Sequence, residues 1–264
     1  MTRTDDSPVP DYQSLLRLDG RRFVVIGAGQ GIGRQTTHAL AGAGARVFCV
    51  DVDEGLAQDV AEEVGGVAWS GDATNRAEVE RMFADAGAAL GGVDGLADIV
   101  GIARFIELLD VTDDDWDWYF AMNLRHAFLA MQIGARAMTN GGSMVFVASA
   151  SGLTSAPRHA PYGAAKAGLM SLVRTGAVEL GPNGIRVNAV APGVVWTPRV
   201  GGLLGEEGRA TQSRNAPLGK VALPADIAAG ILFFASDLSG DVTGQTLSID
   251  GGVSAKFPFN MDNV

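Results

Sequence analysis

Short runs of consecutive apolar residues alternate with segments of helical spacing along most of the chain. The apolar runs are residues 23–26, 46–50, 67–69, 96–100, 144–147, 185–190 and 246–249, and the helical segments include 32–43, 77–90, 116–138 and 163–180. Strands that are apolar on both faces and alternate with helices are typical of a parallel sheet covered by helices on both sides. The pattern therefore predicts an α/β fold built on a doubly wound parallel sheet.

The chain is expected to divide at about residue 18. Residues 1–18 are polar, carry five charges and contain no apolar core, so we expect a partly disordered leader and no signal peptide. After residue 20 there is no fixed-period repeat, low-complexity tract or linker. Residues 19–264 are therefore predicted to form one domain.

The amino-acid composition of the chain argues against several classes of binding partner and of metal site. The 264 residues are 47% hydrophobic and carry a net charge of −10. An acidic chain without a basic stripe is a poor nucleic-acid binder, and no stretch approaches the ~20 apolar residues of a membrane span. The single cysteine, Cys49, excludes an intrachain disulfide and a cysteine-ligated zinc site, and is expected to be buried. His38, His126 and His159 show no metal-ligand spacing. We expect a soluble, cytoplasmic protein without a metal, a nucleic-acid partner or a membrane contact.

A glycine-rich segment follows the first apolar run and precedes a helix. Its spacing is G-x-x-x-G-x-G, formed by Gly27, Gly31 and Gly33. A strand, a glycine turn and a helix N-terminus together favour an anion such as the pyrophosphate of a dinucleotide, because free N–H groups and the helix dipole face it. The alternative is a tight turn that binds no ligand.

Asp51 ends the second apolar run, 20 residues after Gly31. A carboxylate there can accept hydrogen bonds from both adenosine ribose hydroxyls and repel a 2′-phosphate. No Lys or Arg occurs in residues 27–33, and Arg34 lies just beyond. These residues predict NAD rather than NADP, the alternative being an acidic strand end that faces solvent.

Tyr162 and Lys166 are four residues apart in a helical segment, so both side chains lie on one helix face. A neighbouring ammonium favours the phenolate and should lower the pKa of Tyr162 towards the range of a general acid/base. Ser149, 13 residues before Tyr162, ends an apolar run where a loop would begin. Ser151 is the alternative serine, although its spacing of 11 fits less well.

The ordered set of motifs resembles the short-chain dehydrogenase/reductase family over about residues 18–253. Besides the glycine turn, the matching pieces are Asp72-Ala73, Met122-Asn123-Leu124, Ser149, Tyr162 with Lys166, Arg186-Val187-Asn188, Pro192-Gly193, Thr197, Thr243-Gly244-Gln245 and Asp250-Gly251-Gly252. The resemblance implies a Rossmann-type domain with a seven-stranded parallel sheet. It also implies a homotetramer, or otherwise a homodimer, with segments 116–138 and 163–180 between subunits.

The resemblance also implies the roles of individual residues. Tyr162 would be the general acid/base, Lys166 would lower its pKa and bind the nicotinamide ribose, Ser149 would hold the substrate oxygen, and Asn123 would position a water in a proton relay. Asp72 and Ala73 would contact the adenine, whereas Val195 and Thr197 would hold the carboxamide and phosphate side of NAD. The expected cofactor-binding residues are Gly27, Gln30, Gly31, Ile32, Gly33, Asp51, Asp72, Ala73, Gly101, Tyr162, Lys166, Pro192, Gly193, Val195 and Thr197.

Two positions depart from the family pattern. Ile26 replaces the usual Thr before the first motif glycine, and Asp98-Ile99 replaces the usual Asn-Asn after the fourth strand. A carboxyl at Asp98 should be buried, with a shared proton or a raised pKa. Segment 194–220, rich in glycine and apolar residues, is expected to be a mobile lid over the substrate, the alternative being a disordered surface loop.

The function implied is an NAD-dependent oxidoreductase that interconverts a secondary alcohol and a ketone, with a hydrophobic or cyclic alcohol as the expected substrate. A 3-oxoacyl thioester reductase is the alternative enzyme. A non-catalytic NAD-binding sensor or scaffold is the alternative of a different class. Neither a G-x-S-x-G elbow nor a P-loop sequence is present, so serine hydrolases and P-loop ATPases are excluded.

Overall fold

A computed structural model describes residues 7–256 of the chain. The first six residues of the predicted leader and residues 257–264 of the predicted domain lie outside the described residues. Within the rest of the leader, a short 3-10 turn spans Ser14–Leu16. Leu18, the last residue of the predicted leader, is buried and donates its N–H to the carbonyl oxygen of Ala43 at 2.8 Å. The division into a leader and one domain stays a prediction.

Seven parallel strands form one sheet in the order β3-β2-β1-β4-β5-β6-β7. The strands are β1 Arg22–Ile26, β2 Arg46–Asp51, β3 Val67–Ser70, β4 Gly95–Asp98, β5 Gly142–Val147, β6 Ile185–Pro192 and β7 Thr246–Ile249. The sequence-based prediction of a doubly wound, seven-stranded α/β fold is confirmed.

Helices cover both faces of the sheet. They are α1 Gly31–Gly42, α2 Glu54–Val64, α3 Arg76–Leu90, α4 Asp113–Phe120, α5 His126–Ala137, α6 Ala160–Leu180, α7 Pro198–Asn215 and α8 Pro224–Ala235. One core contains buried side chains of α1, α2 and α8, and the other contains those of α3, α5 and α6. Cys49 is buried in the first core, and burial raises the pKa of its thiol to about 12. No helix within residues 7–256 is long and apolar enough to cross a membrane.

The segment expected to be one helix over 116–138 is divided in three. α4 begins at Asp113, three residues before the expected segment, because Thr112 and Asp115 form a reciprocal capping box. A π-helical turn, Ala121–Arg125, then separates α4 from α5. Such turns are rare in proteins, and those that occur are frequently found at functional sites. This one contains Asn123, whose long-range hydrogen bonds are described below.

Segment 194–220 is mostly helical, so the alternative of a disordered loop is wrong. Thr197 caps α7 by accepting a hydrogen bond from the N–H of Val200, and Pro198 occupies the first helical position. At Gly205 the backbone leaves the helical region, with φ 60° and ψ −178°, and divides α7 into two pieces. No residue of α7 is buried. Its action as a lid stays a prediction.

Candidate active site

The candidate site lies at the carboxyl ends of the central strands. β1 pairs with β2 on one side and with β4 on the other, so the chain winds away from β1 in both directions. Open α/β sheets bind their ligands in the crevice at this switch point. The glycine turn follows β1, Asp98 ends β4 and Ser149 follows β5, which brings the three segments to one edge of the sheet.

The three motif glycines are each required by the geometry of the turn. Gly27 and Gly31 have φ of 80° and 56°, in the left-handed region that favours glycine. A Cβ on Gly33 would lie 1.7 Å from the carbonyl oxygen of Gly27, so the start of α1 packs directly on the turn. Gln30 precedes α1 in extended conformation and its side chain makes no capping bond. The helix N-terminus therefore remains a place for an anion.

Asp51 is tied to the glycine turn through a glycine that the motif spacing did not single out. The N–H of Gly29 donates to Asp51 Oδ2 at 2.9 Å, and the N–H of Asp53 donates to Oδ1 at 3.2 Å. A Cβ on Gly29 would lie 2.5 Å from Leu56 Cβ, so a larger residue would displace α2. These bonds fix the carboxylate beside the turn, where an adenosine ribose would lie.

Arg34, the nearest cation to the turn in sequence, is held by α2. Its guanidinium lies 2.8 Å from Glu63, and His38 contacts the same carboxylate at 2.7 Å. The Arg34 and His38 hydrogen bonds lower the pKa of Glu63 from its usual value. This exposed cluster keeps the arginine paired rather than directed at a ribose.

The fold brings Ser149, Tyr162 and Lys166 together. Tyr162 lies in the first turn of α6, and Lys166 follows one turn later with its Nζ 5.9 Å from the centre of the phenol ring. The Ser149 hydroxyl hydrogen-bonds to the Tyr162 phenol. Ser151 instead places its hydroxyl 2.9 Å from Nδ1 of His159. The geometry therefore favours Ser149 over the alternative serine as the partner of Tyr162.

Burial has the largest effect on the pKa values of Tyr162 and Lys166. It raises the pKa of Tyr162 above its usual value, opposed by the Ser149 hydrogen bond and reinforced by Tyr119. It also lowers the pKa of Lys166 to about 8, opposed by the attraction of Asp98. The expectation of a lowered phenol pKa is therefore not met by the residues of the chain alone. The reason is that desolvation disfavours a phenolate at this depth.

Asn123 and Gly101 meet Lys166 at the end of β4. A Cβ on Gly101 would lie 2.7 Å from Lys166 Nζ and 3.2 Å from Asn123 Oδ1, so only glycine leaves room there. The amide of Asn123 is buried, donates to the carbonyls of Ile102 and Tyr119, and accepts the N–H of Ile102. These bonds tie the π-helical turn to the segment after β4. A role for Asn123 in a proton relay stays a prediction.

The remaining predicted cofactor residues lie after the ends of β3 and β6. Asp72 is exposed and accepts hydrogen bonds from Thr74, and Ala73 packs against the core.

The predicted residues at the end of β6 lie beside β7 and the glycine turn. Past Pro192, which ends β6, the N–H of Gly193 donates to the carbonyl oxygen of Ile249. Val195 is buried and pairs with Ala222, whereas a Cβ on Gly31 would lie 3.3 Å from the Thr197 methyl group. Thr197 therefore lies beside the glycine turn, as its predicted phosphate-side role requires. Ile32, in the first turn of α1, packs against the core.

Asp98 is buried, as expected, and its partner is a residue that sequence analysis considered only as a metal ligand. His126, at the start of α5, places Nε2 3.2 Å from Asp98 Oδ1. The same oxygen accepts the N–H of Val100 at 3.1 Å. The only signal in the sequence was the departure from the family pattern at Asp98, and nothing in the spacing marked His126 as its partner.

Aromatic and cationic side chains surround Tyr162 on its outer side. His159 packs edge-on against Tyr162 at 5.5 Å between ring centres and stacks on Phe105 at 5.0 Å. Burial lowers the pKa of His159, and the charge of Arg158 adds to the effect. Arg158 has φ of 64°, unusual for a residue with a side chain. A cavity of about 600 Å³ lies next to this cluster, between the 107–108 segment and the first turns of α6.

Comparison with known proteins shows the family of the chain. Residues 27–254 match the family model described as enoyl-(acyl carrier protein) reductase. The chain is 35% identical to 3-oxoacyl-(acyl carrier protein) reductase of Thermotoga maritima, over 90% of this chain and 99% of that protein. It is 34% identical to D-threitol dehydrogenase of Mycolicibacterium smegmatis, over 91% and 95%. A solved 7α-hydroxysteroid dehydrogenase, complexed with NADH and 7-oxo glycochenodeoxycholic acid, superposes with a TM-score of 0.87 at 30% identity, over 92% and 98%. The chain therefore belongs to the short-chain dehydrogenase/reductase family of oxidoreductases.

Proposed function

We propose that the protein is an NAD-dependent dehydrogenase that interconverts a secondary alcohol and a ketone, with Tyr162 as general acid/base. The observation that carries this proposal is the convergence of the Ser149 hydroxyl and the Lys166 side chain on one partly buried phenol. Glycine at position 101 keeps Lys166 and Asn123 in reach of the same space.

The proposed mechanism assigns the proton steps to residues of the chain. In the oxidative direction, Tyr162 as phenolate accepts the proton of the substrate hydroxyl, while Ser149 holds the substrate oxygen. The Lys166 ammonium stabilises the phenolate, and the proton returns to solvent through Lys166 and Asn123. When bound, NAD⁺ would accept the hydride from the carbinol carbon and add a positive charge near Tyr162, opposite in effect to burial.

The cofactor would be held across the switch point. The backbone N–H groups of the glycine turn and the start of α1 would bind its pyrophosphate, and Asp51 its adenosine ribose. Two observations support NAD over NADP: Asp51 Oδ2 is fixed by the N–H of Gly29 at 2.9 Å, and Arg34 is paired with Glu63. A 2′-phosphate would meet a carboxylate there and find its nearest cation occupied.

The substrate proposed is a hydrophobic or cyclic alcohol. Phe105, Leu108 and Leu153 are exposed around the segments that flank Tyr162, and they offer apolar contact to a bulky ring. A 3-oxoacyl thioester reductase is the second candidate, favoured by the similarity to the Thermotoga protein. Preference for a thioester with NADPH over cyclic alcohols with NAD⁺ would distinguish that activity.

The test is NADH formation from NAD⁺, and separately NADPH formation from NADP⁺, across a panel of secondary alcohols. Activity with NAD⁺ that is lost in Tyr162→Phe, while NAD⁺ binding persists, is the expected result. Turnover of Tyr162→Phe within tenfold of the wild type would contradict the role of Tyr162. Silence across the panel despite NAD⁺ binding would favour the non-catalytic sensor.

A homotetramer is proposed from the helices that flank the site. Trp116 of α4, Phe128 of α5 and Val178 of α6 are large apolar side chains exposed on the faces expected to contact other subunits. Light scattering on the purified chain distinguishes four, two and one copies. A cytoplasmic location stays a prediction.

A further inference from the structure

Asp98 and His126 form a pair of ionisable side chains buried behind the candidate active site. Each side chain is only 1% exposed, and His126 Nε2 lies 3.2 Å from Asp98 Oδ1. Asp98 ends β4 beside the central strand β1, and His126 opens α5 directly after the π-helical turn. The proposed proton steps use neither residue, and burying two ionisable groups is costly unless they are paired.

The unpartnered atoms indicate where the protons of this pair lie. Among the described residues, Nδ1 of His126 and Oδ2 of Asp98 are buried without a hydrogen-bond partner. A proton on Nδ1 would be a buried donor with no acceptor, whereas a proton on Nε2 would lie near Asp98 Oδ1, with 3.2 Å between the two heavy atoms. Asp98 Oδ1 also accepts the N–H of Val100 at 3.1 Å, so both donors near this oxygen would stabilise a negative charge on it. The geometry therefore favours a neutral imidazole and an anionic Asp98, with a net charge of −1.

This charge lies beside the strand that binds Lys166, because Asp98 pairs with Phe146 of β5 and the next residue, Val147, accepts a hydrogen bond from the Lys166 ammonium. Around the ammonium, β5 contributes the carbonyl of Val147, which accepts from Nζ at 2.8 Å, and α6 contributes Tyr162. Tyr119 of α4 acts on Tyr162, and β4 contributes Asp98, whose attraction raises the pKa of Lys166 against the larger effect of burial. Asp98 is thus the counter-charge that the described surroundings offer to a buried ammonium.

We propose that Asp98, kept anionic by its contact with the Nε2–H side of His126, is a positioning residue that maintains Lys166 as an ammonium at neutral pH. The pair acts through Lys166 and contacts neither substrate nor cofactor in this proposal. Its consequence for Tyr162 rests on the proposed function, because a charged Lys166 is what stabilises the phenolate. The effect on Lys166 itself is independent of any substrate.

The experiment exploits the three lysines and three histidines of the chain. With lysine labelled with ¹³C at Cε, NMR follows each ammonium as the pH is raised, and Lys166→Arg serves only to assign the Lys166 signal. Asp98→Asn keeps the size of the side chain and removes its charge. We expect the Lys166 midpoint to fall by about one pH unit or more, the size of effect of an opposite charge at short range.

Variants at His126 separate the electrostatic role from packing. His126→Leu removes the donor, which favours protonation of Asp98, so the Lys166 midpoint is expected to fall as in Asp98→Asn. His126→Gln retains an N–H donor and is expected to restore the wild-type midpoint. If the Asp98–His126 contact only holds β4 against α5, these variants will have altered melting temperatures and an unchanged Lys166 midpoint.

The outcomes are decisive without a substrate. An unchanged Lys166 midpoint in Asp98→Asn and His126→Leu overturns the proposal. A wild-type His126 found to be imidazolium at pH 7 by ¹⁵N NMR also overturns it, and needs no variant to fold. If the midpoints shift while no alcohol is turned over, the proposed function fails and this inference stands. If an alcohol is turned over while the Lys166 midpoint is unchanged in both variants, the proposed dehydrogenase function stands and the proposed role of Asp98 and His126 is rejected.

Discussion

Replacing Gly33 by alanine is expected to weaken NAD⁺ binding, because the start of α1 packs directly on the glycine turn. A Cβ at this position would lie 1.7 Å from the carbonyl oxygen of Gly27, whereas ordinary contact begins near 3.4 Å. The obstructing atom belongs to the backbone, so no side chain can rotate away. The first turn of α1 and the glycine turn must therefore move apart by about the difference between these two distances.

That displacement moves the N–H groups proposed to bind the pyrophosphate. A hydrogen bond to a charged acceptor contributes about 1.5–3 kcal/mol. Loss of one such bond weakens Kd by roughly tenfold to hundredfold. Loss of a second would bring NAD⁺ binding close to the limit of detection. The structural change is local to the turn, so the fold of the remaining sheet is expected to persist.

Gly42→Ala provides a matched control on the same helix. A Cβ on Gly42 meets nothing within 4 Å, so this variant is expected to bind NAD⁺ like the wild type and to be slightly more stable. Calorimetric titration with NAD⁺ gives Kd for each variant, and circular dichroism confirms that each is folded. A folded Gly33→Ala variant with wild-type affinity would refute the steric reasoning. An equal loss in Gly42→Ala would do the same.

Three further predictions concern the roles of Asp51, Thr112 and Lys166. Asp51→Ala should weaken NAD⁺ binding by about tenfold, the loss of roughly one charged hydrogen bond, and improve NADP⁺ relative to NAD⁺; Kd values for both cofactors check this. Thr112→Ala removes the cap of α4 and should lower the free energy of unfolding by about 1 kcal/mol, measured as a decrease of about 2–4 °C in Tm. Lys166 has a folded pKa of about 8 against 10.5, so between these values the unfolded chain binds more protons and stability rises with pH. Denaturant titrations at pH 8 and pH 10 isolate this gain as the difference between the wild type and Lys166→Met, because the opposing contribution of Cys49, whose folded pKa is raised to about 12, is common to both.

The elements that carry the proposed chemistry were predictable because their signals are local. A strand, three spaced glycines and a helix start lie within twelve residues, and the i,i+4 spacing of Tyr162 and Lys166 fixes them on one face of α6. The long helix over 116–138 was wrong because the π-helical turn accompanies bonds from Asn123 to Ile102, 21 residues away. Helix α7 was missed because the Thr197-Pro198 start signal is followed by four glycines, which individually disfavour a helix.

The end of β4 shows most clearly why spacing alone could not describe the site. Asp98 was recognisable as a departure from the family pattern, but its meaning depends on His126, which lies 28 residues later and reaches it only through tertiary packing. Three residues after Asp98, Gly101 leaves the space in which Lys166 Nζ and Asn123 Oδ1 meet. One short segment thus supplies room for the lysine and, in the proposal above, a negative charge near it. Aspartate differs from the family's usual asparagine at this position in charge rather than in size. We therefore expect the consequence of Asp98 in the titration of Lys166 rather than in the fold.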